Sequence, residues 1–346
     1  SLLGYRRIQI MHKTTLGRKP KKKIYHTVQE LDRVMELQKK PAMILQLISV
    51  IQSQKSGVVL LRDLEKFVGF VDKWNHMAVI QKYPTVFRVS GGHGCRSPPA
   101  VTLTDKAKLI VSMEPDARAE MEPILVKNLR KLLMLSVDCR LPLKTVDSVA
   151  NEMGLPSDFK NSLVLKYPQY FSLNEVNRTE YLHLENWDSS LAVTSREESA
   201  KRPPFPSTGR SRASRDGNFP GPFAFRIEFP SGFRPHLKYL EHLRRWQKMD
   251  FPSPYLNPRR LDIPDAKARK RAVAVLHELL SLTVEKRLTS DQVEAFRFEL
   301  RLPTRLLLCL IKHHGIFYLT NKGVFSSVIL KEGYDGSELV HKCPLL

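Results

Sequence analysis

The chain has 346 residues, 42% of them hydrophobic, which is enough for two or three small domains with cores of their own. Its 56 Lys and Arg against 35 Asp and Glu leave a net charge of +21. That excess is large for a soluble enzyme and implies a polyanionic partner, nucleic acid ahead of a membrane surface, with a merely soluble basic protein as the plain alternative. No apolar run of about 18 residues is present, so no helix is expected to span a membrane. The four cysteines, Cys95, Cys139, Cys309 and Cys343, are far apart and form no CxxC pair. They offer neither a disulfide framework nor a zinc site, and a reducing compartment fits.

Residues 1–29 hold eight basic side chains and no acidic one: Arg6, Arg7, Lys13, Arg18, Lys19, Lys21, Lys22 and Lys23. An unpaired basic arm of this kind is suited to phosphates, or is a solvated tail or the residue of a targeting segment. The chain starts at Ser1, which a removed transit peptide or trimming would equally explain.

Residues 30–115 read as a first unit. Ile44, Leu47, Ile48 and Ile51 fit one helix face, and Leu60, Leu61, Leu64, Phe67 and Val68 a second. Trp74, Met77 and Ala78 share a third face that runs into Lys82. Pro84 then disfavours helical geometry at Tyr83, so "QKYPTVF" (81–87) stops a helix and starts a strand. "TVFRV" is short, β-branched and aromatic, Gly91-Gly92 begins a turn region, and "AVTLT" (100–104) returns as the partner strand.

Residues 116–188 repeat the order. Leu125, Leu129, Leu132 and Leu133 come first, then Val146, Val149, Ala150 and Met153, closed by Gly154. A helix expected from about Ser157 ends at Tyr167-Pro168 in "LKYPQYF" (165–171), and "YFSL" pairs with "EYLHLENW" (180–187).

Residues 189–262 break the pattern. The stretch 195–222 is rich in Ser, Pro, Gly and Arg and reads as a linker carrying Arg210, Arg212 and Arg215. Residues 225–262 interleave Arg234, Lys238, Arg244, Arg245, Arg259 and Arg260 with Phe229, Phe233, Tyr239, Trp246 and Tyr255. Such a mixture holds phosphates and stacks unpaired bases, or glues the segment to its neighbours, the role expected of Trp246.

Residues 263–335 form a third unit, followed by a tail at 336–346. Val273, Leu276 and Leu280 mark one helix, and a TxxQ capping box at Thr289 and Gln292 opens another with Val293, Phe296 and Leu300. In "IKHHGIF" (311–317) Gly315 takes the place of proline, expected to close the helix as a left-handed residue. "IFYLT", Asn321-Lys322-Gly323 and "VFSSVIL" then make a hairpin.

In all three units a Lys stands five residues before a Phe: Lys82 and Phe87, Lys166 and Phe171, Lys312 and Phe317. Three helices and a hairpin are the order of a winged helix, whose helix before the wing is commonly presented to nucleic acid. The expected fold is therefore α+β and mostly helical: three winged-helix-like units with a basic linker insertion. Lys82 and Lys166 join the arm, the linker arginines, Arg244, Arg245, Arg259 and Arg260 as expected RNA contacts. Pure protein contact and DNA regulation are the other uses of such units.

A thiol hydrolase would rest on "GGHGC" (91–95), with His93 as base to the Cys95 thiolate. That stretch lies in an expected wing turn with no catalytic signature around it. His313-His314 lack a third metal ligand and read as a helix end. No catalytic residue, metal or cofactor is expected.

Long phrases carry a family resemblance: "QELDRVMELQKKPAMILQLISVI", both "KYP" phrases, "FRIEFPSGF", "WQKMDFPSPY", "RAVAVLHELLSLTVEKR" and "HHGIFYLTNKGVFSSVILKEGY". From about residue 25 to 335 the chain resembles the plant organellar RNA recognition (PORR) domain family. The resemblance implies import into an organelle, the mitochondrion or alternatively the chloroplast. It also implies binding of organellar RNA, in several members in support of group II intron splicing. It brings no catalytic residue set. The expected function is a non-catalytic RNA-binding protein that holds structured RNA beside other ribonucleoprotein subunits. A structural constituent of the mitochondrial ribosome is the alternative.

Overall fold

A computed structural model describes residues 27–37, 39–68, 76–91, 98–201, 234–248, 252–257, 259, 266–323 and 325–345. The protein is α+β, about half helical, with small antiparallel sheets.

After α1 (Gln29–Leu37) the first unit runs α2 (Lys39–Ser53), β1 (Val58–Leu60), α3 (Leu61–Val68), α4 (His76–Lys82), β2 (Phe87–Ser90) and β3 (Ala100–Leu103). The helix stop at "KYP" is where the sequence puts it, and Phe87 opens the strand opposite Leu103. The second unit runs α5 (Asp105–Leu135), β4 (Arg140–Pro142), α6 (Leu143–Val149), β5 (Phe171–Val176) and β6 (Thr179–Leu184). α7 (Ser195–Lys201) and α8 (Leu237–Lys248) follow. The third unit runs α9 (Ala266–Ser281), β7 (Arg287–Thr289), α10 (Ser290–Ala295), α11 (Leu306–Lys312), β8 (Phe317–Thr320) and β9 (Ser327–Leu330). A last hairpin joins β10 (Tyr334–Asp335) to β11 (Glu338–Leu339).

Each hairpin gains a third strand that hydropathy does not reveal. β1, β4 and β7 are three residues each and pair with the returning strand, giving the orders β1-β3-β2, β4-β6-β5 and β7-β9-β8. Leu60 therefore lies in a strand and not on a helix face. The residue before each short strand has a left-handed backbone: Gly57 at φ 62°, Cys139 at 51° and Lys286 at 52°. The three helix-to-strand turns thus share one geometry, which only glycine adopts without a steric cost.

Four further sequence expectations are corrected. The helix expected from Ser157 is a single π-helical turn over Lys160–Val164 flanked by turns. Met153 lies beyond the end of α6, in the turn that precedes Gly154. Gly315 is not left-handed; α11 ends instead at His313, φ −107° and ψ 44°. The segment read as linker from residue 195 begins as α7, because Thr194 and Glu197 bond each other's backbone N–H reciprocally at 3.2 and 2.7 Å. The 115/116 division is drawn at Pro115, inside the 31-residue α5.

The two helix-to-strand turns of units two and three belong to a longer repeat. Residues 136–156, SVDCRLPLKTVDSVANEMGLP, align without a gap with 283–303, TVEKRLTSDQVEAFRFELRLP, at an offset of 147 (283 − 136). The structure obeys the same offset across the contact between the units. Val137 N–H donates to Glu299 O at 3.0 Å, and Val284 N–H donates to Glu152 O at 2.7 Å. Since 284 − 137 and 299 − 152 are both 147, the two units meet through equivalent surfaces, as an isologous dimer does.

One hydrophobic core runs through both of these units, from Leu129 and Phe171 to Val273 and Phe317. Cys343 and Leu345 pack against it and bring the C-terminal tail onto the paired units. Unit one keeps a separate core built on Leu47, Ile51, Leu64, Ile80, Phe87 and Val101. α1 docks on unit three. Leu31 and Met35 pack on Tyr318 and Ile329 of the third sheet, and Asp32 accepts from Tyr318 OH at 2.8 Å and Thr320 Oγ1 at 2.6 Å.

Candidate nucleic-acid interface

The expected contact residues divide into those the structure describes and those outside it. Arg6, Arg7, Lys13, Arg18, Lys19, Lys21, Lys22, Lys23, Arg210, Arg212, Arg215 and Arg260 lie outside the described residues, as do His93, Cys95 and the side chain of Trp246. Lys82, at the end of α4, is exposed. Lys166 is also exposed, but its ammonium meets Glu122 at 2.5 Å, and Tyr167 OH donates to the same oxygen at 2.5 Å. These bonds hold the Glu122 carboxyl below its ordinary range, and the bond to Glu122 raises Lys166. Arg244 and Arg245 are exposed on α8, with Arg245 3.9 Å from Glu241. Arg259 pairs with Asp138 at 2.8 Å. Equivalent places in different units thus carry different surroundings.

The structure draws together a basic group that pattern reading misses. A cleft of about 300 Å³ opens in unit three between the start of α9 and the chain after α10. Its lining includes Arg269, Arg271, Arg297, Phe298 and Arg301 and, among the described residues, no carboxylate. Arg271 is buried and donates to four backbone carbonyls, those of Leu256, Leu300, Pro254 and Leu135, at 3.1–3.5 Å. Burial, and then the charge of Arg301, push it down to about 10. It therefore stays cationic at neutral pH and serves as a fixed charge under the floor. The Arg297 guanidinium lies 4.2 Å from the centroid of the Phe298 ring, on one face. Glu294 Oε1 is 2.6 Å from Arg297 Nε, an ion pair in which the N–H is not aimed at the oxygen. Phe298 itself is 74% exposed. The signals are present as "KARKR" (267–271) and "FRFELR" (296–301), but they are separated in sequence and each alone reads as a solvated face.

The described residues form small helical units with three-stranded sheets in a strongly basic chain, and one unit carries an arginine cleft beside an exposed aromatic ring. The Plant organelle RNA recognition domain model matches residues 26–346, and the chain belongs to that family.

The chain is 33% identical over 323 residues to "Protein WHAT'S THIS FACTOR 1 homolog, chloroplastic" of Oryza sativa subsp. japonica, covering 91% of this chain and 62% of that protein. It is 33% identical over 322 residues to "Protein ROOT PRIMORDIUM DEFECTIVE 1" of Arabidopsis thaliana, covering 89% and 77%. It is 27% identical over 289 residues to "Protein WHAT'S THIS FACTOR 9, mitochondrial" of Arabidopsis thaliana, covering 77% and 66%. The chain thus spans about three fifths of the length of the chloroplastic relatives it matches. No solved structure matches the chain.

Proposed function

We propose that this protein binds organellar RNA without catalysing a reaction and holds a structured RNA in a productive fold, in support of group II intron splicing. The observation that carries the reading is membership of the RNA recognition family over residues 26–346. The charge of +21 and the arginine cleft supply the physical means. Each Lys or Arg seated on a phosphate releases condensed counterions, so affinity falls as salt rises.

Each unit is read as winged-helix-like, since a helix, a short strand, two helical segments and a hairpin recur in that order. The basic arm, the linker arginines, Lys82, Lys166 and the cationic face of α8 are assigned to phosphates, which position an RNA without reading its bases. The working compartment is assigned to a plant organelle, because relatives carry chloroplastic and mitochondrial names.

The test is a salt titration of RNA binding, paired with sequencing of organellar transcripts from plants lacking the protein. A log-affinity that falls linearly with log salt, together with retained group II introns, is expected. Failure to bind structured RNA at low salt overturns the proposal. Binding with every intron spliced normally overturns the splicing role alone.

A further inference from the structure

The repeat of 147 residues separates what the fold needs from what it does not. Val137 and Val284, Leu155 and Leu302, and Pro156 and Pro303 recur because the packing recurs. The cleft residues do not recur. Opposite Arg269, Arg297, Phe298 and Arg301 the second unit carries Glu122, Ala150, Asn151 and Gly154. The turn itself is the same in both: Leu155 N–H donates to Ala150 O at 2.8 Å, and Leu302 N–H donates to Arg297 O at 2.8 Å. Gly154 enters that turn at φ 76° and Arg301 at φ 50°. The second unit therefore uses the residue the left-handed backbone favours, and the third accepts strain to hold an arginine at the cleft. A left-handed backbone at a residue other than glycine carries a steric cost and persists only where the surrounding structure holds it.

We propose that this cleft binds one unpaired nucleotide of an RNA strand, with its phosphate between Arg269 and Arg301 and its base stacked on the open face of Phe298. The inference rests on the RNA-binding reading and adds to it a site and a mode of recognition. Arg297 already occupies one face of the ring, so the ring is backed by a cation and its other face is free to take a base. Guanidinium forks match the paired oxygens of a phosphate, and Arg269 and Arg301 both line the cleft. A base inside a duplex is stacked on both sides and has no face to offer, so the cleft selects bulges, loops and single strands.

The experiment uses the full chain and two RNA hairpins of one sequence, fully paired or with a single bulged 2-aminopurine. Wild type is expected to bind the bulged RNA more tightly and to quench its fluorescence by stacking. Phe298→Ala, at an exposed position, is expected to abolish the quenching and to weaken the bulged RNA by about 5- to 100-fold. Its affinity for the paired hairpin is expected to stay the same. Arg301→Gly, freed of the left-handed cost, is expected to melt no lower than wild type yet lose affinity for the bulged RNA. Wild-type quenching and affinity in both variants overturns the cleft assignment while leaving RNA binding intact. A wild-type protein that binds neither hairpin overturns the RNA-binding reading itself.

Discussion

Lys131 and Glu278 occupy the same position in two repeats, 147 residues apart, and their charged ends meet at 2.9 Å across the contact between units two and three. Their side chains are only 2% and 0% exposed. A residue near such an axis faces its own counterpart, so two identical units would place Lys against Lys. The exchange of one Lys for Glu converts that repulsion into a pair. Lys131 Nζ also donates to Val193 O at 2.8 Å, while Glu278 accepts from Tyr255 OH at 2.7 Å and Ser195 N–H at 2.9 Å. Burial, and then Glu278, raise the Tyr255 phenol well above its ordinary range, so it remains a donor. The network fastens the start of α7 and the residue 252–257 segment to the paired units.

Breaking this pair strands a buried charge. Glu278→Ala and Lys131→Met are each expected to cost about 3–5 kcal/mol. Tyr255→Phe removes one bond to a charged group and is expected to cost about 1.5–3 kcal/mol. Urea denaturation of the purified variants checks the ranking. Equal stability of Glu278→Ala and wild type would show that the units do not depend on the pair.

Phe171 and Phe317 sit in one continuous core and Phe87 in another. Each is 3% exposed or less, and truncation of a buried Phe to Ala costs about 3–5 kcal/mol. Calorimetry is expected to show Phe171→Ala and Phe317→Ala lowering the same transition. Phe87→Ala is expected to lower a different one. A single transition shifted alike by all three would mean that α5 couples the two cores into one cooperative body.

Burial holds the His313 imidazole below its ordinary value, with the charges of Lys312 and His314 acting in the same direction against its bond to Cys309 O. His183 is lowered by burial and then by Arg140. For a base lowered in the folded state, the unfolded chain takes up protons first. Stability is therefore complete above about 6.5 and falls as pH drops through that value toward the folded pKa. Melting temperatures between about pH 7.5 and 5 are expected to fall less in His313→Gln than in wild type. Identical slopes would remove His313 from the acid response.

The arm before residue 30 carries eight basic side chains and no acid. Replacing Lys19, Lys21, Lys22 and Lys23 with Ala is expected to weaken RNA binding without lowering the melting temperature. Each lost contact to single-stranded RNA flattens the log-affinity against log-salt slope by about 0.7, so four amount to about 3. Two unrelated RNAs are expected to lose affinity alike, because phosphates carry no base identity. An unchanged slope would assign the arm to targeting or to a protein partner.

Local events and family membership are written in the linear chain. Pro84 and Pro168 act on the residue before them, Thr289 and Gln292 cap a turn within three residues, and Phe87, Phe171 and Phe317 follow as buried strand starts. Such signals are legible because their physics operates over a few residues. The strands β1, β4 and β7 are not legible, since three residues pair only after a distant hairpin offers an edge. Nor is the docking of α1 on the third sheet, which needs Tyr318 and Asp32 to meet across 286 residues. The most consequential matters rest on the folded arrangement. In sequence Lys131, Glu278, Arg269 and Arg301 are all charges of the kind that face water. Only the contact between units buries the first two as a pair, and only the folded third unit brings Arg269 and Arg301 to one cleft. Whether a charge is solvated, paired or aimed at a phosphate depends on what the rest of the chain places within a few ångströms of it, and linear spacing does not carry that information.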